Sequence, residues 1–412
     1  MSLRISQRID FSANTIITTF FAFIIIVGSF FNLAANNSYA NDSWTIGEWL
    51  INYQGGFVRR GLLGEVIFLI SNYFSITPIY LIWIICLFSY LFLIKLSFGM
   101  VKNLVSSSFL LSPVIFLSPL IGNFLVRKDI FLLLLFVWSL KIIKVNKSNI
   151  FLINLINIFA ILIHESFFIY ALPIQFFLIL NKKSTLSIIK NLLKNILLFL
   201  PSIIVFLLCF IFKGSDYQAS LINKSWIDKS FLFPFDNFIN GNARGAIDAI
   251  GWGFKDVVNL LSLSLRDFKG FLWVPIAWGL TILIIGSIFL GDNKSKDAKL
   301  KLFILSFQFI PLISLCLLGW DYGRWIFIWI ASSIFIYSNF SNEIKNLESY
   351  KSFSYKFNFL KINKFCIELN GKSKILLLLT SYPHCCWSLF YVPTLLVVPL
   401  YSLIKSEFIR NK

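Results

Sequence analysis

Apolar residues run in long blocks, separated by short polar breaks, from one end of the chain to the other. Blocks at about 13–34, 78–95, 104–122, 126–142, 150–164, 166–180, 190–213, 271–290, 302–319, 323–339, 373–385 and 387–404 fall at or near the roughly 20 residues that carry a helix across a bilayer. The pattern predicts an all-α polytopic membrane protein with about 12 transmembrane helices, in a range of about 10–13. The block at 60–74, RGLLGEVIFLISNYF, reads as a re-entrant or juxtamembrane helix. Counting it as a span would move Lys95 and Lys102 to the outer side, against the positive-inside trend. Arg4 and Arg8 precede the first block, and NSYA, ending at Ala40, weakly resembles a signal-peptide cleavage site. The apolar length favours a retained first helix instead.

The organisation that follows is a single integral membrane domain over 1–412. Within it lie an external loop and juxtamembrane helix at 35–77, a large external loop at 214–270 and a basic cytoplasmic loop at 340–372. Ile247, Ile250, Phe254, Val257 and Leu261 recur at helical spacing in the second loop, as in a short amphipathic helix. No internal repeat stands out.

Composition sharpens this picture. The chain has 412 residues, 58% of them hydrophobic, and only 14% are charged, against about 25% in soluble domains. Such a chain argues against a water-soluble enzyme, a disordered scaffold and a conventional nucleic-acid-binding domain. Six Cys without regular spacing make neither a disulfide framework nor a zinc site. The net charge of +18 takes its meaning from topology. With Arg4 and Arg8 in the cytoplasm and the spans alternating, the whole excess falls on the cytoplasmic side. Both termini are then cytoplasmic, in what would be a bacterial inner membrane. Six of the nine Arg nevertheless fall outside or at the outer membrane edge, and a guanidinium fork suits carboxylate and phosphate.

The candidate chemistry gathers on that outer side. In WLINYQGGFVRRGLLGE, from Trp49 to Glu65, Tyr53, Arg59 and Arg60 could clamp an anionic headgroup or phosphate. The plainer reading is interfacial anchoring. Asp42 and Glu48 stand just before it, and an external carboxylate can act as a general base or hold a divalent cation beside a phosphate. Asp42, closer to the first span, is preferred. Arg127, Lys128 and Asp129 mark a helix end, where they either snorkel or bind phosphate.

His164 and Glu165 interrupt the apolar stretch from Ile150 to Leu180 and are the sharpest anomaly in the chain. His can serve as acid or base near neutral pH, and Glu165 could pair with Arg127 or Lys128. Asp321 and Arg324, three apart, could pair on one helix face and turn the Arg toward an anionic ligand. His384, Cys385 and Cys386 are poor evidence for a metal, so no metal ligand is assigned. There is no HExxH motif, P-loop or dinucleotide fingerprint.

A cytoplasmic N-terminus, a first external loop carrying Asp42 and Glu48, juxtamembrane helices and many further spans resemble the GT-C superfamily of integral membrane glycosyltransferases. The resemblance implies a catalytic acid at Asp42, with Glu48 as substitute, and a polyprenyl-phosphate or polyprenyl-diphosphate sugar donor. VRKDIFLLLL at 126–135 followed by HES at 164–166 also resembles exopolysaccharide polymerases of the EpsG and Wzy kind. Both imply polysaccharide biosynthesis on the non-cytoplasmic face. The partners would be a lipid-linked donor, a glycan or lipid acceptor and membrane lipids, with no nucleic acid. Arg59, Arg60, Arg127 and Arg324 would stabilise the leaving phosphate, and Asp42 or His164 with Glu165 would deprotonate the acceptor. The competing expectation is a transporter or flippase of lipid-linked glycan or another anionic substrate.

Overall fold

The computed structural model describes residues 26–30, 44–101, 125–179, 196–229, 245–253, 295–318 and 321–347, with single residues and pairs outside these runs. Every regular element among them is helical. In chain order these are α1 (Ile46–Leu50), α2 (Gly61–Phe74), α3 (Pro78–Val101), α4 (Asp129–Val145), α5 (Ile150–Ile163) and α6 (Ser166–Ile179). They are followed by α7 (Leu200–Ile211), α8 (Asp216–Ile227), α9 (Gly245–Asp248), a 3-10 turn at Ala249–Gly251, α10 (Ser295–Leu318) and α11 (Tyr322–Lys345).

Local sequence explains several boundaries. The Asn149 side chain accepts from Leu152 N–H and starts α5. That helix ends where His164 turns extended while its own N–H still bonds Ala160 O at 2.9 Å. Ser215 starts α8 in the same way, accepting from Gln218 N–H. Arg60 stands before α2 in the left-handed region, at φ 66°. An Arg there is held against its own preference and at a cost of about 1–3 kcal/mol.

α1 is buried on every side. The Trp49 indole donates to Val126 O, and the Trp226 indole donates to Leu50 O at 2.8 Å. The extended segment after α1 lies directly on α2, with Gly61 and Gly64 providing the room. A Cβ at Gly64 would sit 1.8 Å from Ile51 O, and one at Gly61 would sit 2.3 Å from the Tyr53 ring. α10 packs along α11, and α4 lies between α11 and the α5–α6 pair. Polar side chains stitch these layers together. Gln175 donates to Ser139 and Asn157, and Asn157 donates back to Gln175 at 2.7 Å. Gln308 donates to Tyr170 O and to Ser332.

The expected bundle of about twelve spans is corrected by these helices. Among the described residues, only Pro78–Ser97 in α3 and Lys299–Cys316 in α10 are long and apolar enough to cross a membrane. A third candidate exists only if α7 and α8 count as one span, and they meet at a 93° bend. The physical reasons are length and burial. α2, α5 and α6 have 14 residues each, giving about 21 Å of helix against a hydrocarbon core of about 30 Å. The apolar blocks at 126–142 and 323–339 form α4 and α11, whose side chains mostly face other helices. The multi-pass inner-membrane placement is corrected on the same ground, and both termini lie outside the described residues. The blocks at 13–34, 104–122, 271–290, 373–385 and 387–404 lie wholly or largely outside them too. So do Phe254, Val257 and Leu261 of the amphipathic stretch and most of the loop at 340–372, whereas Ile247 and Ile250 are buried.

Candidate functional site

The polar exceptions in the apolar blocks converge. α1 brings Glu48, the turn before α2 brings Arg59 and Arg60, and the start of α4 brings Arg127, Lys128 and Asp129. The α5–α6 junction adds His164 and Glu165, and the start of α11 adds Asp321 and Arg324.

Glu48 lies at the centre. Its Oε1 is 3.0 Å from His164 Nε2 and 3.9 Å from Arg324 Nη2, and its Oε2 is 3.4 Å from Arg127 Nη1. Burial by itself would raise this carboxyl. Arg324, His164 and Arg127 outweigh burial and hold it well below the usual carboxylate range. Arg324 forks onto Asp129 at 2.8 and 2.9 Å and reaches Asp321 at 2.7 Å. Arg127 also donates to Trp44 O.

The tautomer of His164 follows from its partners. Nδ1 accepts from Ser166 N–H at 3.1 Å, so the proton of the neutral ring sits on Nε2, facing Glu48. Burial and Arg60 lower the imidazole below its ordinary value, with Glu165 and Glu48 opposing. Glu165 holds Arg60 through Nε at 2.9 and 3.0 Å and through Nη2, and lies 3.6 Å from Arg59 Nη1. Burial is again outweighed for this carboxyl, chiefly by Arg60, and it is held well below the usual range.

Two cations rest mainly on backbone carbonyls. Lys128 is fully buried, donates to Arg60 O at 3.0 Å and Ile163 O at 3.3 Å, and lies 5.9 Å above the Trp49 ring. Burial lowers its ammonium to about 8. Arg59 donates to Ile250 O and Trp252 O, while its buried Nε has no hydrogen-bond partner among the described residues.

The site has a dry floor and an open rim. Glu48, His164, Asp129 and Arg324 expose at most 4% of their side chains. Arg59, Arg60, Glu165 and Asp321 expose 18%, 27%, 19% and 20%. Among the described residues, four guanidiniums (Arg59, Arg60, Arg127, Arg324) and the Lys128 ammonium, charged at pH 7, face four carboxylates (Glu48, Asp129, Glu165, Asp321), so at that pH and with neutral His164 the cluster carries about one positive charge in excess.

Of the residues singled out from sequence, Asp42 lies outside the described residues, as do His384, Cys385 and Cys386. Tyr53 sits beside the cluster, its N–H bonded to Glu65 at 2.8 Å and its ring stacked on Phe57. Glu165 pairs with Arg60 and Arg59, not with Arg127 or Lys128. Sequence reasoning placed Asp129 with Arg127 and Lys128 at a helix end but did not pair it with Arg324, whose main partner it is. It also missed Ser166, whose backbone fixes the His164 ring and which follows directly in HES. Among the described residues no group of three His, Cys, Asp or Glu side chains is placed to hold a metal ion.

No protein-family model, no curated protein and no solved structure matches the chain. The likeness to GT-C glycosyltransferases and to EpsG- or Wzy-like polymerases is therefore corrected: neither a family match nor the required number of spanning helices stands behind it. With it go the membrane glycosyltransferase activity, the role in polysaccharide biosynthesis, and the lipid-linked donor, glycan acceptor and membrane-lipid partners. The flippase alternative goes as well, since it needs a pathway through a polytopic bundle. The cations expected to grip a lipid phosphate are mostly engaged by carboxylates and carbonyls of the chain itself.

Proposed function

We propose that the charged cluster is a binding site for a small oxyanion, a phosphate or a carboxylate group, entering beside Arg59 and Arg60. The observation that carries this reading is the position of the excess charge. Arg59 is partly exposed, its buried Nε is unpartnered among the described residues, and its carboxylate contact with Glu165 is long at 3.6 Å because Arg60 holds that group more closely. An incoming oxyanion meets a guanidinium that is already positioned by two carbonyls and only weakly neutralised. Behind it, the His164–Glu48 pair can take up a proton when the local charge changes, because both groups are dry and in contact. A site of this kind recognises the anionic end of a ligand and leaves the rest of it at the rim.

The test is calorimetric titration of the purified chain with inorganic phosphate, pyrophosphate and acetate, repeated in two buffers of different ionisation heat. Saturable binding is expected for at least one anion, weakened about tenfold in Arg59→Gln, since a charge-assisted hydrogen bond is worth about 1.5–3 kcal/mol. A heat that depends on the buffer would report proton uptake. Binding of equal strength in Arg59→Gln, or no saturable binding of any of the three, would overturn the reading.

A further inference from the structure

A second feature lies away from the ion cluster. α3, α4 and α5 enclose a groove of about 900 Å³ whose wall is almost wholly apolar. Phe131 and Trp138 line it from α4, Leu155 and Phe159 from α5, and Phe92 from α3. Trp138, Phe92 and Leu155 remain 54%, 53% and 52% exposed, so the groove is open along one side. The Phe131 to Lys141 stretch of α4 gives it a length of about 15 Å. Among the described residues, charge enters the lining at one place, Lys141, one turn before the end of α4, and no carboxylate lines it. Lys144 follows three residues later on the same exposed helix end.

Volume, wall and charge together define an occupant. The volume falls in the range of small-molecule sites, about 300–1,000 Å³. An apolar wall this long gains from a methylene chain and offers nothing to a polar ligand. A single cation at one end is complementary to an anionic head, and Lys can bury its stem along the groove while its ammonium meets that head. We propose that this groove binds a single-chain carboxylic amphiphile, its chain along the Phe131–Trp138 stripe and its carboxylate at Lys141. The assignment is independent of the oxyanion reading of the ion cluster, because the two regions share no lining side chain.

The experiment uses the full chain in a fixed concentration of non-ionic detergent and follows tryptophan fluorescence, which Trp138 reports from within the groove. Bromine-bearing dodecanoate is the probe, with octanoate, decanoate, dodecanoate and dodecanol as competitors. Saturable quenching is expected, and competitor affinity should fall roughly fourfold for each methylene removed. Lys141→Gln should weaken dodecanoate severalfold and leave dodecanol unchanged. Leu155→Trp should abolish saturable quenching by filling the groove. Both positions are exposed, and circular dichroism of each variant confirms its fold. Non-saturable quenching, equal affinity for octanoate and dodecanoate, or an unchanged preference for the acid in Lys141→Gln would overturn the proposal. So would strong quenching by brominated phosphatidylcholine vesicles that dodecanoate fails to relieve, since the groove would then be a surface meeting a bilayer.

Discussion

Replacing Gly64 by Ala sets two physical effects against each other, and the structure decides between them. Within a helix, Ala is favoured over Gly by about 1 kcal/mol. Against this, the new Cβ would lie 1.8 Å from Ile51 O, 2.5 Å from Ile51 C and 2.7 Å from Trp49 O. The obstacle is backbone and cannot rotate away. To reach the 3.4 Å where ordinary contact begins, α2 and the 49–53 segment must separate by about 1.6 Å, and overpacking of this kind costs about 1–3 kcal/mol or more. That segment is pinned from both sides. Leu50 O accepts from Trp226 and Tyr53 N–H donates to Glu65, so the shift is passed to Glu48. A rigid backbone obstacle puts the cost at the upper end of that range, about 3 kcal/mol, so the net expectation is a loss of about 2 kcal/mol, together with a weakened Glu48–Arg127 contact. Gly47 is the control, because its Cβ would meet Ala246 at an ordinary 3.7 Å. Thermal unfolding followed by circular dichroism, with hydrogen exchange at 46–53, checks both variants. Gly64→Ala as stable as Gly47→Ala, with unchanged exchange at 46–53, would refute the close approach and the route from α2 to the site.

The remaining expectations concern the ions. Glu48→Gln leaves buried Arg127 and Arg324 short of a carboxylate and should cost about 3–5 kcal/mol in thermal or chemical unfolding; a loss below about 1 kcal/mol would show that Glu48 is dispensable to the network. Stability should also fall with acid in two stages. His164 has a folded value below its ordinary 6.5, so its contribution is complete above that pH and is lost as pH drops beneath it. Glu48 and Glu165 have folded values well below 4.5, so theirs is present above 4.5 and lost toward those lower values. Melting temperature against pH should show both stages in the parent chain and only the second in His164→Gln. Lys128 works at the other limb. Its ammonium falls from 10.5 to about 8 on folding, so the unfolded chain holds more protons in that window and stability should rise between those values. Lys128→Met should flatten that rise, and a slope unchanged by the substitution would contradict it.

Much of the site was legible because polar residues stand out against apolar blocks. His164 and Glu165 between Ile150 and Leu180, and the Arg59–Arg60 pair before Gly61, are costly to leave unpartnered, and that cost draws attention to them. The pairing was not legible. Glu165 finds Arg60, 105 positions away, and Arg324 finds Asp129, 195 positions away, and no spacing rule reaches across such intervals. The pairing of Asp129 was not sought because an acid at a helix start has an ordinary explanation in the helix dipole. The number of spans was overread for a related reason. Hydropathy reports that a block avoids water, and burial against other helices satisfies that as well as lipid does. α11 shows the difference: Phe327, Ile328, Ile330, Phe335 and Ile336 are all buried within the protein, on different faces of one helix.

Local consistency also broke at one informative place. Arg60 occupies a left-handed conformation that Gly would adopt freely, although Gly61 follows immediately. Its carbonyl accepts from Lys128 while its guanidinium is held by Glu165. A relaxed backbone at Arg60 would turn that carbonyl away and leave the fully buried Lys128 ammonium with fewer partners. The strain at one rim residue is thus balanced by the solvation of a cation on the floor, and this couples the open part of the site to the dry part. An oxyanion that loosens Arg60 from Glu165 would act on both Lys128 and His164, because Arg60 presses on the protonation of each. The proton uptake expected on anion binding has its physical origin in that coupling.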